Sequence, residues 1–138
     1  MTNADPVKSV VAVLIGGAVG TALRLGVDVI LPHGGVVFPV GTFLVNLFGS
    51  FLLAVLVARV WPSAVEWLRA GLGPGLLGSF TTFSALAVSA VELTSAGVGL
   101  EAVVYVVASL VGGITAAVLG LRLGAPTATT VPAIGVDE

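Results

Sequence analysis

Residues 70–93 read AGLGPGLLGSFTTFSALAVSAVEL, an apolar stretch long enough to cross a lipid bilayer. The residues in it that disfavour a continuous helix are Gly71, Gly73, Pro74, Gly75, Gly78, Ser79, Thr81 and Thr82. We therefore predict an interrupted transmembrane helix, because non-helical backbone at membrane depth is tolerated where protein or a water-filled cavity satisfies it. Carbonyls freed at such a break can coordinate a cation. The alternative is that the glycines only allow neighbouring helices to pack closely.

The composition of the whole chain agrees with a membrane protein. Of its 138 residues, 57% are hydrophobic and 9% are charged, whereas an ordinary soluble domain carries about 25% charged residues. A soluble domain of this size could not bury so much apolar surface. The chain has no cysteine, which excludes disulfides and thiolate metal sites. Its five Lys and Arg are too scattered to favour nucleic-acid binding.

Apolar stretches predict an all-α membrane protein with four transmembrane helices in one domain. Residues 32–35, Pro-His-Gly-Gly, break the chain after the first helix, and Trp61 and Trp67 flank the second loop at expected interfacial positions. Residues 1–9 are interpreted as a cytoplasmic head, since no cleavage site followed by a polar mature domain indicates a signal peptide. Residues 123–138, rich in Pro, Thr and Ala, are predicted to be a disordered tail. The transmembrane domain covers residues 10–122, with spans at about 10–30, 40–60, 70–93 and 100–121.

Neutral polar residues inside the spans carry the functional signal. Thr42, Asn46 and Ser50 recur every four residues and share one face of the second helix. Tyr105 and Ser109 share a face of the fourth. An amide in a span is costly to leave facing lipid, so Asn46 must face the bundle interior, a partner or a pore. The alternative for both faces is interhelical hydrogen bonding without transport.

Small residues repeat at helical spacing in the first and fourth spans, which is typical of closely packed membrane helices. The two series are Gly16 and Gly20, and Gly112, Ala116 and Gly120.

The segment 78–84, Gly-Ser-Phe-Thr-Thr-Phe-Ser, places hydroxyls and aromatic rings together. A ring has a positive edge, so ring edges and hydroxyl donors can favour an anion without a cationic side chain. The alternative is that Phe80 and Phe83 only pack. Arg24 is the only basic residue well inside a predicted span. It either extends to the interface or attracts anions to a vestibule.

Four segments together make the sequence resemble the CrcB/Fluc family of small bacterial fluoride channels. The combination of Gly-Thr-x-x-x-Asn-x-x-Gly-Ser-Phe and Thr-Thr-Phe-Ser, each in its own span, is the specific part. The segments are residues 16–24 (GGAVGTALR), 39–51 (PVGTFLVNLFGSF) and 78–84 (GSFTTFS), and the pattern of Tyr105, Ser109 and Gly112-Gly113.

The resemblance implies a dual-topology dimer, in which two antiparallel subunits form two fluoride pores along their interface. The interrupted third helices would cross at the centre and bind one structural Na⁺ through the backbone carbonyls of Gly78 and Thr81. It also implies passive, fluoride-specific export that relieves fluoride toxicity, in a multi-pass protein of the bacterial inner (plasma) membrane. No nucleotide motif, catalytic carboxylate pair or nucleophile–base set is visible in the sequence, so an enzyme is not predicted.

The same resemblance implies the pore residues. Phe83 would offer its ring edge to fluoride and Asn46 would donate from its side chain. Tyr105 and Ser109 would line a polar track, and Arg24 matches the family's vestibule arginine. Thr42, on the face of Asn46, is included with the pore residues. Donors of this kind can replace the water that fluoride loses without holding the ion too tightly.

The sequence departs from the family pattern at two kinds of position. Leu86 stands where the family has a second phenylalanine, and Ser79 replaces a glycine. Charge placement also differs, since most basic residues fall near the side of the termini and predict one fixed orientation with the termini inside. Two interpretations stay open. The chain pairs with an inverted homologous subunit that supplies the missing ring, or it forms a homodimer in which leucine is tolerated. The basic residues concerned are Lys8, Arg59, Arg69 and Arg122.

Two functions of other classes compete with a channel. A small four-helix multidrug exporter is expected to carry a carboxylate within a span for proton coupling, and the second span has none. An auxiliary or scaffold subunit of a heterodimeric channel would explain Leu86, but would leave Asn46 and the segment 78–84 as packing only.

Overall fold

The computed structural model describes residues 5–31 and 38–125. The whole predicted loop at 32–35, most of the tail at 123–138 and the first four residues of the head lie outside these ranges. Four helical segments are long and apolar enough to cross a membrane: Pro6–Ile30, Val40–Val60, Glu66–Ser95 and Gly99–Gly124. The prediction of four transmembrane helices is therefore confirmed.

The helices of the described residues are numbered in chain order. The second span continues from α2 into a π-helical turn at Leu56–Val60, and the third is composed of several pieces, with a π-helix at Gly71–Leu77 between α3 and α4. The bounds are α1 (Pro6–Ile30), α2 (Val40–Val55), α3 (Glu66–Ala70), α4 (Gly78–Phe80), α5 (Phe83–Ser95) and α6 (Gly99–Gly124).

The first helix begins before the predicted start of the first span. The Asp5 carboxylate accepts from the Val7 and Lys8 amides, and Pro6 occupies the first helical turn, where a missing N–H costs nothing. This cap draws residues 6–9 of the predicted head into α1.

Alternate spans pack side by side in parallel. On α1, Gly16 contacts the Gly71 carbonyl and Gly20 contacts the Leu76 carbonyl, so the two segments run in the same direction. On α6, Gly112 faces Phe43 and Gly120 faces Ala54 of α2, again in parallel. The small-residue series thus permit close approach, as predicted. The chain passes up, down, up and down, which places the start of α1 and the end of α6 on one side.

Pro74 does not break the third span. Proline lacks an N–H, and in an α-helix its ring clashes with the carbonyl four residues earlier. The wider π-helix at Gly71–Leu77 accommodates it, and the ladder continues with the Gly78 amide donating to the Gly73 carbonyl. Gly71 and Gly75 are buried against α1. The glycines of this stretch allow close packing against α1, as one interpretation predicted. The third span is also interrupted, as the other predicted, but further along the chain.

Candidate functional site

The third span is interrupted at Thr81 and Thr82, which have extended backbones with φ/ψ of −79°/158° and −153°/123°. Local hydrogen bonds close both helix ends. The Thr81 amide and hydroxyl both donate to the Leu77 carbonyl, at 3.0 and 2.9 Å. The Thr82 hydroxyl accepts from the Ala85 amide at 3.1 Å and caps α5. The predicted interruption is therefore present.

Asn46 of α2 binds the broken backbone directly. Its Nδ2 donates to the Thr82 carbonyl at 2.8 Å, and the Thr82 amide donates to its Oδ1 at 2.8 Å. One side chain thereby satisfies both backbone groups of a buried residue 36 positions away in sequence. This arrangement supplies the protein partner that broken backbone in a membrane requires.

Opposite ends of two helix dipoles meet at the break. The helical stretch that ends at Phe80 presents its carbonyl end, which favours a cation. The thirteen-residue α5 presents its amide end, which favours an anion. The interruption can therefore attract ions of both signs within a short distance.

A cavity of about 570 Å³ opens beside the break, between α2, the third span and α6. It brings together four of the predicted pore and metal-site residues in addition to Asn46, namely Gly78, Thr81, Phe83 and Ser109. Every lining residue is uncharged. The full lining is Asn46, Gly49, Ser50, Leu53, Trp61, Gly73, Pro74, Leu77, Gly78, Thr81, Thr82, Phe83, Leu86, Ser109, Leu110, Gly113 and Ile114.

Phe83 is 74% exposed. It is the first residue of α5, and the break turns its ring out of the subunit instead of into the core. The exposed ring therefore lies beside the uncharged polar groups that line the cavity.

Tyr105 and Thr42 are not among the residues that line this cavity. Tyr105 is fully buried between α2, α5 and α6, with the Thr42 and Ser89 hydroxyls near its own. Its oxygen makes no hydrogen bond of good geometry with the described residues, and neither does that of Ser109. The rings of Tyr105 and Phe38 pack edge to face, with 5.2 Å between their centroids. The structure thus forms a buried hydroxyl cluster one turn of α6 away from Ser109.

Arg24 does not line the cavity either. Its Nε lies 3.9 Å from Asp28 Oδ2, one turn further along α1, and both side chains are about 30% exposed. An ion pair this exposed contributes little to stability. Asp28 does, however, offset the positive charge that a vestibule arginine would offer to anions.

The two residues that depart from the family pattern, Ser79 and Leu86, have different surroundings. The Ser79 hydroxyl faces Gly17 of α1, where a Cβ would lie 3.3 Å away, so its side chain packs between helices. Leu86 is 7% exposed, belongs to a core cluster with Leu93, Ala102 and Tyr105, and also lines the cavity. Ser79 is thus a packing change, whereas Leu86 changes the cavity wall.

Three polar or aromatic residues of the cavity wall were not among the predicted pore and metal-site residues. The four-residue spacing places Ser50 on the face of Asn46, and the structure adds Ser50 to the cavity wall. Thr82 enters through its backbone, and its contact with Asn46 spans 36 residues, so no local pattern indicates it. Trp61, expected only at the membrane interface, packs its ring 3.1 Å from the position of a Cβ at Gly73.

Comparisons with known proteins match residues 11–121 to the family described as CrcB-like protein, Camphor Resistance (CrcB). A protein of Halalkalibacterium halodurans named fluoride-specific ion channel FluC 2 is 44% identical over 126 residues, covering 89% of this chain and 90% of that protein. The fluoride-specific ion channel FluC of Allorhizobium ampelinum is 43% identical, and the match covers 85% of this chain and 96% of that protein. The fluoride-specific ion channel FluC of Chloroflexus aurantiacus is 38% identical, and the match covers 85% of this chain and 95% of that protein.

Proposed function

The chain belongs to the CrcB-like protein family, and on this premise we propose that it is a fluoride-specific channel, not an enzyme. It conducts fluoride passively out of the cell and so relieves fluoride toxicity. The observation that carries the proposal is the uncharged cavity at the break, where Asn46, Ser109 and Phe83 converge beside the amide end of α5.

The chemistry of this cavity suits fluoride. A small, strongly hydrated anion enters a pore only where close donors replace its water, and it leaves only where none binds too tightly. Amide, hydroxyl and ring-edge donors meet both conditions, whereas a cationic side chain would hold the ion more strongly. Beyond the cavity, the hydroxyls of Tyr105 and Thr42 extend the supply of donors along α6 and α2.

A structural Na⁺ at the carbonyls of Gly78 and Thr81 is part of the proposal. The donor set fits such an ion, because no backbone amide of the described residues donates to either carbonyl across the break. Both residues also line the cavity at the carbonyl end of a helix dipole. The ion would supply positive charge that holds two broken helices together.

We propose an antiparallel dimer, because the polar groups that line the cavity around Asn46 cannot face lipid, and the exposed Phe83 ring lies beside them. The second subunit is either another copy or an inverted homologue. Leu86 favours the homologue, since a copy cannot supply the second ring. The opposite side of α2 and α6 forms a groove of about 700 Å³ that suits membrane lipid, lined by Phe43, Leu44, Leu47, Phe48, Phe51, Gly112, Thr115, Ala116 and Leu119.

The protein is a multi-pass membrane protein. We place it in the bacterial inner (plasma) membrane, with the termini in the cytoplasm. Lys8, Arg59, Arg69 and Arg122 lie at the helix ends on one side, and basic residues near span ends favour the cytoplasm.

Fluoride efflux from liposomes that contain the purified chain, with chloride as the control ion, tests the function. We expect fluoride efflux without chloride efflux, from the chain alone or together with its nearest homologous subunit. Well-folded protein that releases no fluoride in either preparation would contradict the proposal. An auxiliary subunit would give efflux only with the homologue, and that efflux would be unchanged by Asn46→Ala.

A further inference from the structure

The hydrogen bonds between Asn46 and Thr82 also affect the Gly78 carbonyl, in addition to pairing the backbone groups of Thr82. In a continuous helix, the Thr82 amide would donate to the Gly78 carbonyl, four residues earlier. Here the same amide donates to Asn46 Oδ1 at 2.8 Å. The Gly78 carbonyl is thereby deprived of its helical donor by a side chain of another span.

Without the Asn46 side-chain amide, the Thr82 backbone amide would lose the acceptor that keeps it from the Gly78 carbonyl. Two buried backbone groups of Thr82 would then lack partners, and buried backbone groups are nearly always paired. The simplest repair is for the Thr82 amide to return to the Gly78 carbonyl, which extends the helix through the break. The carbonyl would then be occupied by an N–H and less available to a cation.

We propose that Asn46 is a positioning residue for cation binding, because its two hydrogen bonds to Thr82 hold the third span open and leave the Gly78 carbonyl to Na⁺. This inference rests on the proposed function. It assigns Asn46 a second role in addition to donating to fluoride. An amide group carries two N–H donors, and the Thr82 carbonyl takes one of them.

Fluoride flux alone cannot separate the two roles, because removing Asn46 would lower flux through either. The separating measurement is the rise of Tm with Na⁺ in detergent, titrated against N-methyl-D-glucamine at constant ionic strength without fluoride. A ligand that binds only the folded protein stabilises it by RT ln(1 + c/Kd), where c is the free ligand concentration, so Tm begins to rise when the Na⁺ concentration reaches Kd. This concentration, called the Na⁺ midpoint, reports Na⁺ affinity.

The variant is Asn46→Ala, and the matched control is Tyr105→Phe, which removes a proposed pathway hydroxyl that does not touch the break. We expect Asn46→Ala to move the Na⁺ midpoint at least about tenfold upwards, since two hydrogen bonds are lost. Tyr105→Phe should keep the wild-type midpoint while its fluoride flux falls. Asn46→Gln replaces the alanine variant if that does not fold, because its longer stem misplaces the same amide.

A wild-type Na⁺ midpoint in a folded Asn46 variant would overturn the inference, and so would a wild-type protein whose Tm does not respond to Na⁺. Fluoride efflux by the wild-type protein, measured in parallel, tests the proposed function separately. Efflux with an unchanged midpoint would leave the channel in place and remove only the positioning role.

Discussion

Phe83 and Leu86 lie one turn apart in α5 and have opposite surroundings. Phe83 is 74% exposed at the break, whereas Leu86 is 7% exposed and packs in the cluster that contains Tyr105. The Phe83 ring thus lies exposed beside the cavity, and position 86 holds an aliphatic side chain in the cavity wall. Position 86 is therefore where the cavity wall departs from the family pattern.

Replacing Leu86 by phenylalanine should increase fluoride flux of the chain reconstituted alone by about three- to tenfold, because the ring restores an edge donor to the cavity. Leu93→Phe is the matched control, since Leu93 is 2% exposed in the same cluster but does not line the cavity. That variant should lose about 1–3 kcal/mol of stability and gain no flux. Unchanged flux in folded Leu86→Phe would remove the argument for a missing ring.

At the scale of the helical elements, the third span combines two departures from α-helical geometry. The π-helix at Gly71–Leu77 absorbs Pro74, and the true interruption follows at Thr81–Thr82. The two halves of the span also pack differently. The first half lies along α1 through glycine contacts, and α5 lies along α6. The break thus separates segments held by different neighbours, with Asn46 of α2 linking them.

The contact between α1 and the third span predicts that alanine substitutions at two glycines of α1 have different effects on stability. A Cβ at Gly20 would collide with the Leu76 carbonyl, whereas a Cβ at Gly26 meets nothing within 4 Å. Gly20→Ala should lower stability by about 1–3 kcal/mol. Gly26→Ala should be neutral or slightly stabilising, because alanine is the better helix former.

The measurement for this pair is Tm of the two variants in the same detergent. Equal Tm values would show that α1 can shift away from the third span without cost, which contradicts the close packing described above.

At the scale of the whole molecule, the pair of α2 and α6 has two different faces. One face lines the polar cavity with Asn46, Ser50 and Ser109, and the opposite face forms the apolar groove around Phe48 and Ala116. Polar groups need protein or ions beside them in a membrane, whereas apolar groups are satisfied by lipid. The proposed dimer would therefore place its second subunit against the cavity side and leave the groove side to the bilayer.

Four basic residues at one end of the bundle predict a single orientation. A reporter fused to the C-terminus should report the cytoplasm in essentially all molecules. Replacing Lys8, Arg59, Arg69 and Arg122 by glutamine should produce a mixture of orientations. If the unmodified chain already inserts in equal proportions, it can form an antiparallel dimer with itself, and the case for a homologous partner then rests on Leu86 alone.

The sequence by itself determined the features that depend on local pattern. Hydropathy over about 20 residues gave the four spans, because bilayer thickness sets their length. Clustered glycines, Pro74 and threonines indicated an interrupted third span, and the small-residue series indicated close packing. The period of the helix placed Asn46 and Ser50 on one face, and both line the cavity.

Only the tertiary structure decided which residues of other helices these side chains and segments contact. The Asn46 partner lies 36 residues away, and a polar face in a helix does not reveal which neighbour it binds. The π-helix carries the third span past Pro74, and the break lies further along the chain at Thr81 and Thr82. Tyr105 became a buried residue beside the cavity instead of part of its wall, since its depth depends on how α5 packs on α6. Periodicity fixes directions on one helix, whereas distances between helices depend on how all four pack together.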